Sequence, residues 1–216
     1  MIDVHPLHEP AHSWSDFLIH LVTITIGLLI ALSLEGCVEW QHHRHLVHDA
    51  EASLQAEIEN NTKGMASTLD DLHKQQGVLK KDLAVLYVIE KTHRVPDNTN
   101  IDVSFGIRSF EDVGWKTAQS TGAFSYMPYD RAQEYSDLYE GQAKLQESEQ
   151  QAARDAVVAL SAFWGGNDKS GPDFAPEHVK RMQEKIEVLQ GQLLLVDTFM
   201  KGLDLGYKKF LAAHPQ

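Results

Sequence analysis

The segment Phe17–Leu34, FLIHLVTITIGLLIALSL, holds 18 residues without a formal charge. That is near the lower limit for a helix crossing about 30 Å of hydrocarbon. Nothing else in the chain restricts its architecture as strongly. Trp14 and Trp40 flank the run as an aromatic belt would. Their 26-residue separation, at about 1.5 Å per residue, is roughly 39 Å, close to the hydrocarbon core plus its interfaces. Glu35 and Glu39 then fall at the C-terminal interface, within reach of water. The rival reading is a cleaved signal, since LEGC (Leu34–Cys37) looks like a degenerate lipobox ending in Cys37. Residues 1–16 oppose it, with Asp3, Glu9 and Asp16 and no Lys or Arg where a signal peptide carries a basic region. Glu35 also occupies a lipobox position that prefers a small side chain. The expected organisation is a short tail over 1–16, an uncleaved transmembrane helix over 17–40 and an extramembrane domain over 41–216.

At 100° per residue, His20, Thr23, Gly27, Ala31, Glu35 and Val38 share one face of that helix. Gly27 and Ala31 form a small-xxx-small pair, which lets two backbones approach closely in lipid. A polar residue within a span usually faces protein. This face is therefore the expected helix–helix interface, with a second copy or a larger membrane protein. Only Arg44 lies close enough to count for orientation, and alone it would set the bulk in the cytoplasm.

The remainder reads as soluble and acidic. The 216 residues carry a net charge of −12, and mean hydropathy is negative. Such a surface lacks the cationic patch that displaces counterions from phosphate, so nucleic acid is not an expected partner. One cysteine, Cys37, leaves no room for a disulfide framework or a cysteine-based metal cluster.

Helical periodicity dominates after the span. Leu46, Ala50, Leu54 and Ile58 recur every four residues. Met65, Leu69, Leu72, Gln76, Leu79, Leu83 and Leu86 then alternate steps of four and three, a heptad seam. A long helix over 41–93 is expected to stop before Val95-Pro96. Residues 95–108 read as an irregular loop. Ser109 with Asp112 suggests a capping box for a short helix over 109–121, stopped by Gly122. Asp130 with Gln133 suggests a cap for a helix over 130–164, using Tyr135, Leu138, Tyr139, Leu145, Val157, Leu160 and Phe163. A loop over 165–175 precedes Pro176, which suits a first helical position in a helix over 176–212. That last helix has the clearest seam: Val179, Met182, Ile186, Leu189, Leu193, Val196, Met200, Leu203, Tyr207 and Phe210. The expected fold is all-α, a transmembrane helix continuing into an up-and-down bundle with coiled-coil-like seams.

Two segments carry a resemblance. WKTAQSTGAFSYMPYDRAQEYSDLY (Trp115–Tyr139), together with ITIGLLIAL (Ile24–Leu32), resembles uncharacterised bacterial single-pass inner-membrane proteins that join an N-terminal span to a long-helix domain. The resemblance implies an inner-membrane protein with its bulk in the periplasm. It supplies no catalytic residues. The acidic first 16 residues depart from the basic N-terminus usual in that group.

Histidines supply the one cluster with ligand chemistry. Glu39, His42 and His43, with Glu35 nearby, share roughly one helical face, and Glu39 and His43 stand at i, i+4, a spacing that can bind a divalent metal. A closed site needs three or four ligands, so the plain alternative is a polar, pH-responsive interfacial segment. His5, His8 and His12 lie in a proline-broken tail. Trp115, Phe124, Tyr126, Tyr129, Tyr135 and Tyr139 would line a ligand pocket or, more simply, pack a short helix onto the bundle. No G-x-S-x-G, P-loop, G-x-G-x-x-G or H-E-x-x-H occurs, so no enzymatic activity and no cofactor are expected. The leading expectation is a membrane-anchored scaffold or accessory subunit whose partners are the lipid bilayer and itself or a larger membrane complex. The alternatives are a periplasmic sensor without its own output domain and a metal-binding protein at the membrane surface.

Overall fold

The structure is a computed structural model that describes residues 14–106, 108–163 and 174–215. Four helices and one 3-10 turn (Ala123–Ser125) account for the regular structure of the described residues, and no strand is among them. They are α1 (Trp14–Thr92), α2 (Val113–Ser120), α3 (Tyr129–Ser161) and α4 (Pro176–Ala213). Two compact units result, residues 1–49 and 50–216, with α1 contributing to both. Most of the expected N-terminal tail and of the 165–175 loop lies outside the described residues.

In the first unit α1 is long and apolar enough to be a candidate membrane span, and none of its most apolar stretch is buried. Its hydroxyls close on their own helix. Thr23 Oγ1 donates to the Ile19 carbonyl at 2.8 Å, Thr25 to Leu21 at 2.8 Å and Ser33 to Leu29 at 2.7 Å. Such i−4 bonds satisfy polar atoms that hydrocarbon could not.

The second unit is a bundle of α1, α3 and α4. All ten seam residues of α4, Val179 to Phe210, are buried in it. From α1 come Leu54, Ile58, Met65, Leu72, Leu79, Leu83, Leu86 and Ile89. Thr68, rather than the expected Leu69, takes the core position between Met65 and Leu72. On α3 the buried row is Leu145, Ala152, Ala156 and Ala159, while Val157 and Leu160 are 67% and 50% exposed. The expected apolar face of α3 holds at Tyr135, Tyr139, Leu145 and Phe163 and is displaced by one position at Val157 and Leu160. Small side chains win because they let two helices approach, and α3 and α4 are the long helices whose backbones come closest.

Side-chain bonds give the directions. Tyr87 reaches Glu187, Gln76 the Leu193 carbonyl and Gln55 the His214 carbonyl, so α4 runs antiparallel to α1. Gln192 bonds Ser148 and Tyr207 bonds Gln142, so α4 also runs antiparallel to α3. It follows that α1 and α3 are parallel, and the order is up, up, down rather than strict alternation. A crossover strap, residues 93–128, makes this possible by descending alongside α1. Its Asp102 amide donates to Asp82 Oδ2 at 2.9 Å, Arg108 pairs with Asp71 at 2.9 Å, and the Glu111 amide donates to Asn61 Oδ1 at 2.8 Å. At its foot the Gly114 amide donates to Glu57 Oε2 at 2.6 Å.

The helix ends follow from local chemistry in two cases and from a tertiary contact in one. His93, in the left-handed region at φ 51°, closes α1 just before Val95-Pro96. Gly122, at φ 74°, stops α2. The expected caps are absent: α2 and α3 begin at Asp112 and Pro128 with no side-chain cap bond. Asp112 instead pairs with Lys116 at 2.6 Å, and Gln133 donates forward to Asp137 at 2.7 Å. The carboxylate of Glu57, far away on α1, caps α2 by accepting from Gly114 and, at 3.4 Å, from Trp115. That approach requires a glycine, since a Cβ at Gly114 would lie 2.9 Å from Ser53 Oγ.

Glu57 also accepts from the Tyr139 hydroxyl, so its removal leaves buried donors on α2 and α3 without a partner. Glu57→Ala is expected to destabilise the bundle by about 3 kcal/mol and Tyr139→Phe by about 1 kcal/mol, both read as urea-unfolding midpoints. Equal small losses would mean that water replaces the carboxylate.

Candidate functional site

Each of the sites expected from the sequence has a definite place. On α1, His20, Thr23, Gly27, Ala31, Glu35 and Val38 are all exposed. A Cβ added at Gly27 would meet nothing within 4 Å, and the His20 ring bonds the Asp16 carbonyl at 2.8 Å. No part of the described chain covers this face. Glu39 and His43 approach to 3.9 Å, and the rings of His42 and His43 lie 6.1 Å apart. Among the described residues no three His, Cys, Asp or Glu side chains come together in a way that could hold a metal ion.

Four of the six aromatics pack, whereas Tyr126 and Tyr129 are exposed. Trp115 stacks on Tyr139 with centroids 4.7 Å apart and planes 10° from parallel, and Phe124 sits 4.8 Å from Trp115. These contacts seat α2 and the 3-10 turn on α3. Tyr135 lies 5.0 Å from Phe210, joining α3 to α4. Burial first, then the bond to Glu57, raises the Tyr139 phenol well above its ordinary value. Burial likewise raises Tyr207. Both therefore stay protonated donors across the physiological range.

A separate constellation lies midway along the bundle. A cavity of about 350 Å³ opens between α1, the strap, α3 and α4. Its polar wall includes Thr68, Asp71, Ser104, Arg108 and Glu149, and its apolar wall Leu72, Phe105, Val196 and Met200. The space exists because Thr68 stands at a core position that Met65 and Leu72 fill above and below. Glu149, on α3, is only 2% exposed, and its Oε2 has no hydrogen-bond partner. Burial alone pushes its carboxyl from 4.5 up to about 7.

Glu149 differs from the other fully buried polar residues of the bundle core; the less buried Asp204 also leaves one oxygen unbonded, but its other oxygen is held by Lys208. Asn61 donates to the Glu111 carbonyl at 2.9 Å, Gln142 donates to the same carbonyl at 3.0 Å, and Asp82 and Glu57 accept strap amides. Thr68 donates to the Gly64 carbonyl at 3.0 Å. Gln183 donates to Glu90 at 3.0 Å, and Ser148 accepts from Gln192 at 3.0 Å. A carboxyl removed from water without a bond is costly. Sequence reading passed over it, yet a signal was present: Gln142, Leu145, Glu149, Ala152, Ala156, Ala159 and Phe163 alternate three and four and are all buried. An acid at a core position of that row marks the site.

The sign of its pH effect is fixed. The folded protein keeps the Glu149 proton to about pH 7, whereas the unfolded chain releases it near 4.5, so this group's contribution is fully present below 4.5 and is lost as pH rises towards 7. Glu149→Gln should remove that loss, gaining on the unsubstituted protein by up to about 1.4 kcal/mol per pH unit across the window. Urea unfolding at pH 5, 6, 7 and 8 measures it; parallel profiles for the two proteins would show a solvated carboxyl. Comparison with known proteins adds no relative: no family model, no curated protein and no solved structure matches this chain.

Proposed function

We propose that the protein is a single-pass, membrane-anchored helical subunit that associates through the exposed face of its span, with itself or with a larger membrane protein. One observation carries this reading. Two long seams could serve association, and only one of them is unoccupied. The seam of α4 is buried in the protein's own bundle over its whole length. The apolar stretch of α1 is buried nowhere. Apolar surface of that extent favours lipid or a partner helix.

Within the span, the face of Gly27 and Ala31 is the one suited to a helix. Its small side chains permit close backbone contact, and packing rather than apolar transfer drives association in lipid. The hydroxyls satisfied within the helix exert little pull of their own, so shape complementarity at Gly27 and Ala31 carries the contact. The likeness of Trp115–Tyr139 and Ile24–Leu32 to bacterial inner-membrane proteins supports that membrane as the location, with the bundle on the periplasmic side. The bundle supplies an extramembrane domain with a closed core.

Replacing both Gly27 and Ala31 with Leu should lower the native mass of the gently extracted protein while leaving membrane insertion intact. The measurement is native mass spectrometry beside a carbonate-extraction assay. An unchanged native mass, or a wild-type protein that is monomeric and partner-free at its natural level, would overturn the proposal.

A further inference from the structure

We propose that the cavity beside Glu149 binds a small organic ammonium ion, whose N–H donors meet the Glu149 carboxylate while its carbon body lies against Leu72, Phe105, Val196 and Met200. The inference concerns the second unit alone and goes beyond the anchoring role, since it stands or falls independently of what the span contacts.

Three observations select this chemistry. First, the unmet group is an acceptor. Glu149 is buried, lines the cavity, and its Oε2 has no partner. Buried polar groups in native proteins are overwhelmingly bonded, and an exception calls for an occupant or a function. Second, the other charges in the wall already have partners. Asp71 is held by Arg108 at 2.9 Å and by Lys74 at 3.3 Å. An anionic ligand would therefore meet an engaged guanidinium and, at neutral pH, a carboxylate poised to ionise. Third, the wall is half apolar. A bare metal cation wants six or more oxygens; beside Glu149 the wall offers the Thr68 and Ser104 hydroxyls, the Gln75 amide and an Asp71 carboxylate already paired with Arg108 and Lys74, and the Thr68 hydroxyl already serves Gly64. A cation with a hydrocarbon body uses both halves of the wall, and a volume of about 350 Å³ falls at the small end of ligand pockets.

Binding is then coupled to a proton. Facing Glu149 are Asp71 from α1 and Arg108 from the strap; α4 contributes only Val196 and Met200, its nearest acid, Asp197, being turned to His73 and Lys201. No cation in the wall is free to hold Glu149 ionised, so the ligand does so and a proton leaves for solvent. With the carboxyl near 7, affinity should improve by roughly thirtyfold between pH 5.5 and 8.5, as the ionised fraction rises.

The full chain in maltoside micelles would be titrated with n-butylammonium and with benzylammonium by calorimetry, protein-free micelles serving as the blank. Saturable one-to-one binding at pH 8.5, weakened at least tenfold in Glu149→Gln and about thirtyfold at pH 5.5, supports the assignment. Butyrate and butanol serve as the anionic and neutral probes. No saturable ammonium binding at pH 8.5, unchanged binding in Glu149→Gln, or tighter binding of butyrate or butanol overturns it. Should the Gln variant lose its helical circular dichroism, the pH profile of the unsubstituted protein decides, and a flat profile overturns the assignment. Micelles containing the Gly27/Ala31 double variant should bind the amine normally, which separates this result from the fate of the anchoring proposal.

Discussion

A polar side chain at a core position of a helix needs a hydrogen-bond partner that water cannot supply there. The strap between α1 and α3, itself largely exposed, supplies backbone partners to four such side chains. Glu57 accepts the amides that open α2. Asn61 grips Glu111 on both its amide and its carbonyl, and Asp82 accepts the Asp102 amide. The polar side chains at core positions of α1 are therefore the sockets of the crossover, and α3 can lie parallel to α1 because they hold it.

Those sockets also link the helices to one another. Tyr139 ties Glu57 to α3, and Gln142 joins the strap carbonyl to Tyr207 on α4. The two tyrosine links are buried and the Gln142 link to the strap carbonyl part-buried, so each bond is strong and each vacancy expensive. Against that background Glu149 is the exception, with the right position, the same burial and no hydrogen bond from the strap residues that share its cavity. The layer in which it sits also has a threonine where its neighbours have Met and Leu. A missing partner and missing volume coincide in one place.

Much of this was legible in the residues, and the failures have a common cause. Ten residues in regular steps on α4 identified a core face that the structure buries without exception, because alternating large side chains leave a helix only one way to face. Gly122 and Val95-Pro96 marked ends correctly, since backbone sterics act locally. Ser109 and Asp130 misled as caps because the partners of α2 come from α1, 57 residues away for Gly114. Val157 and Leu160 misled because hydrophobicity favours them over alanine, whereas the close approach of α3 and α4 favours Ala156 and Ala159. Glu149 and Thr68 were visible only as polar residues in phase with apolar ones. That pattern reads as noise until the strap is known to bond Glu57, Asn61, Asp82 and Gln142 and to leave Glu149 out.

The crossover has a consequence in time. α3 and α4 are neighbours in the chain, and their antiparallel pairing closes a short connection at small entropic cost. The strap is different in resting on two helices at once: its foot bonds Glu57 on α1 and stacks Trp115 on Tyr139 of α3. It can settle only after both helices stand side by side, which makes the polar sockets late to form and places their energy on the native side of the folding barrier. Side chains of that kind govern how slowly a protein comes apart more than how quickly it assembles, so the strap acts as the bundle's latch against unfolding.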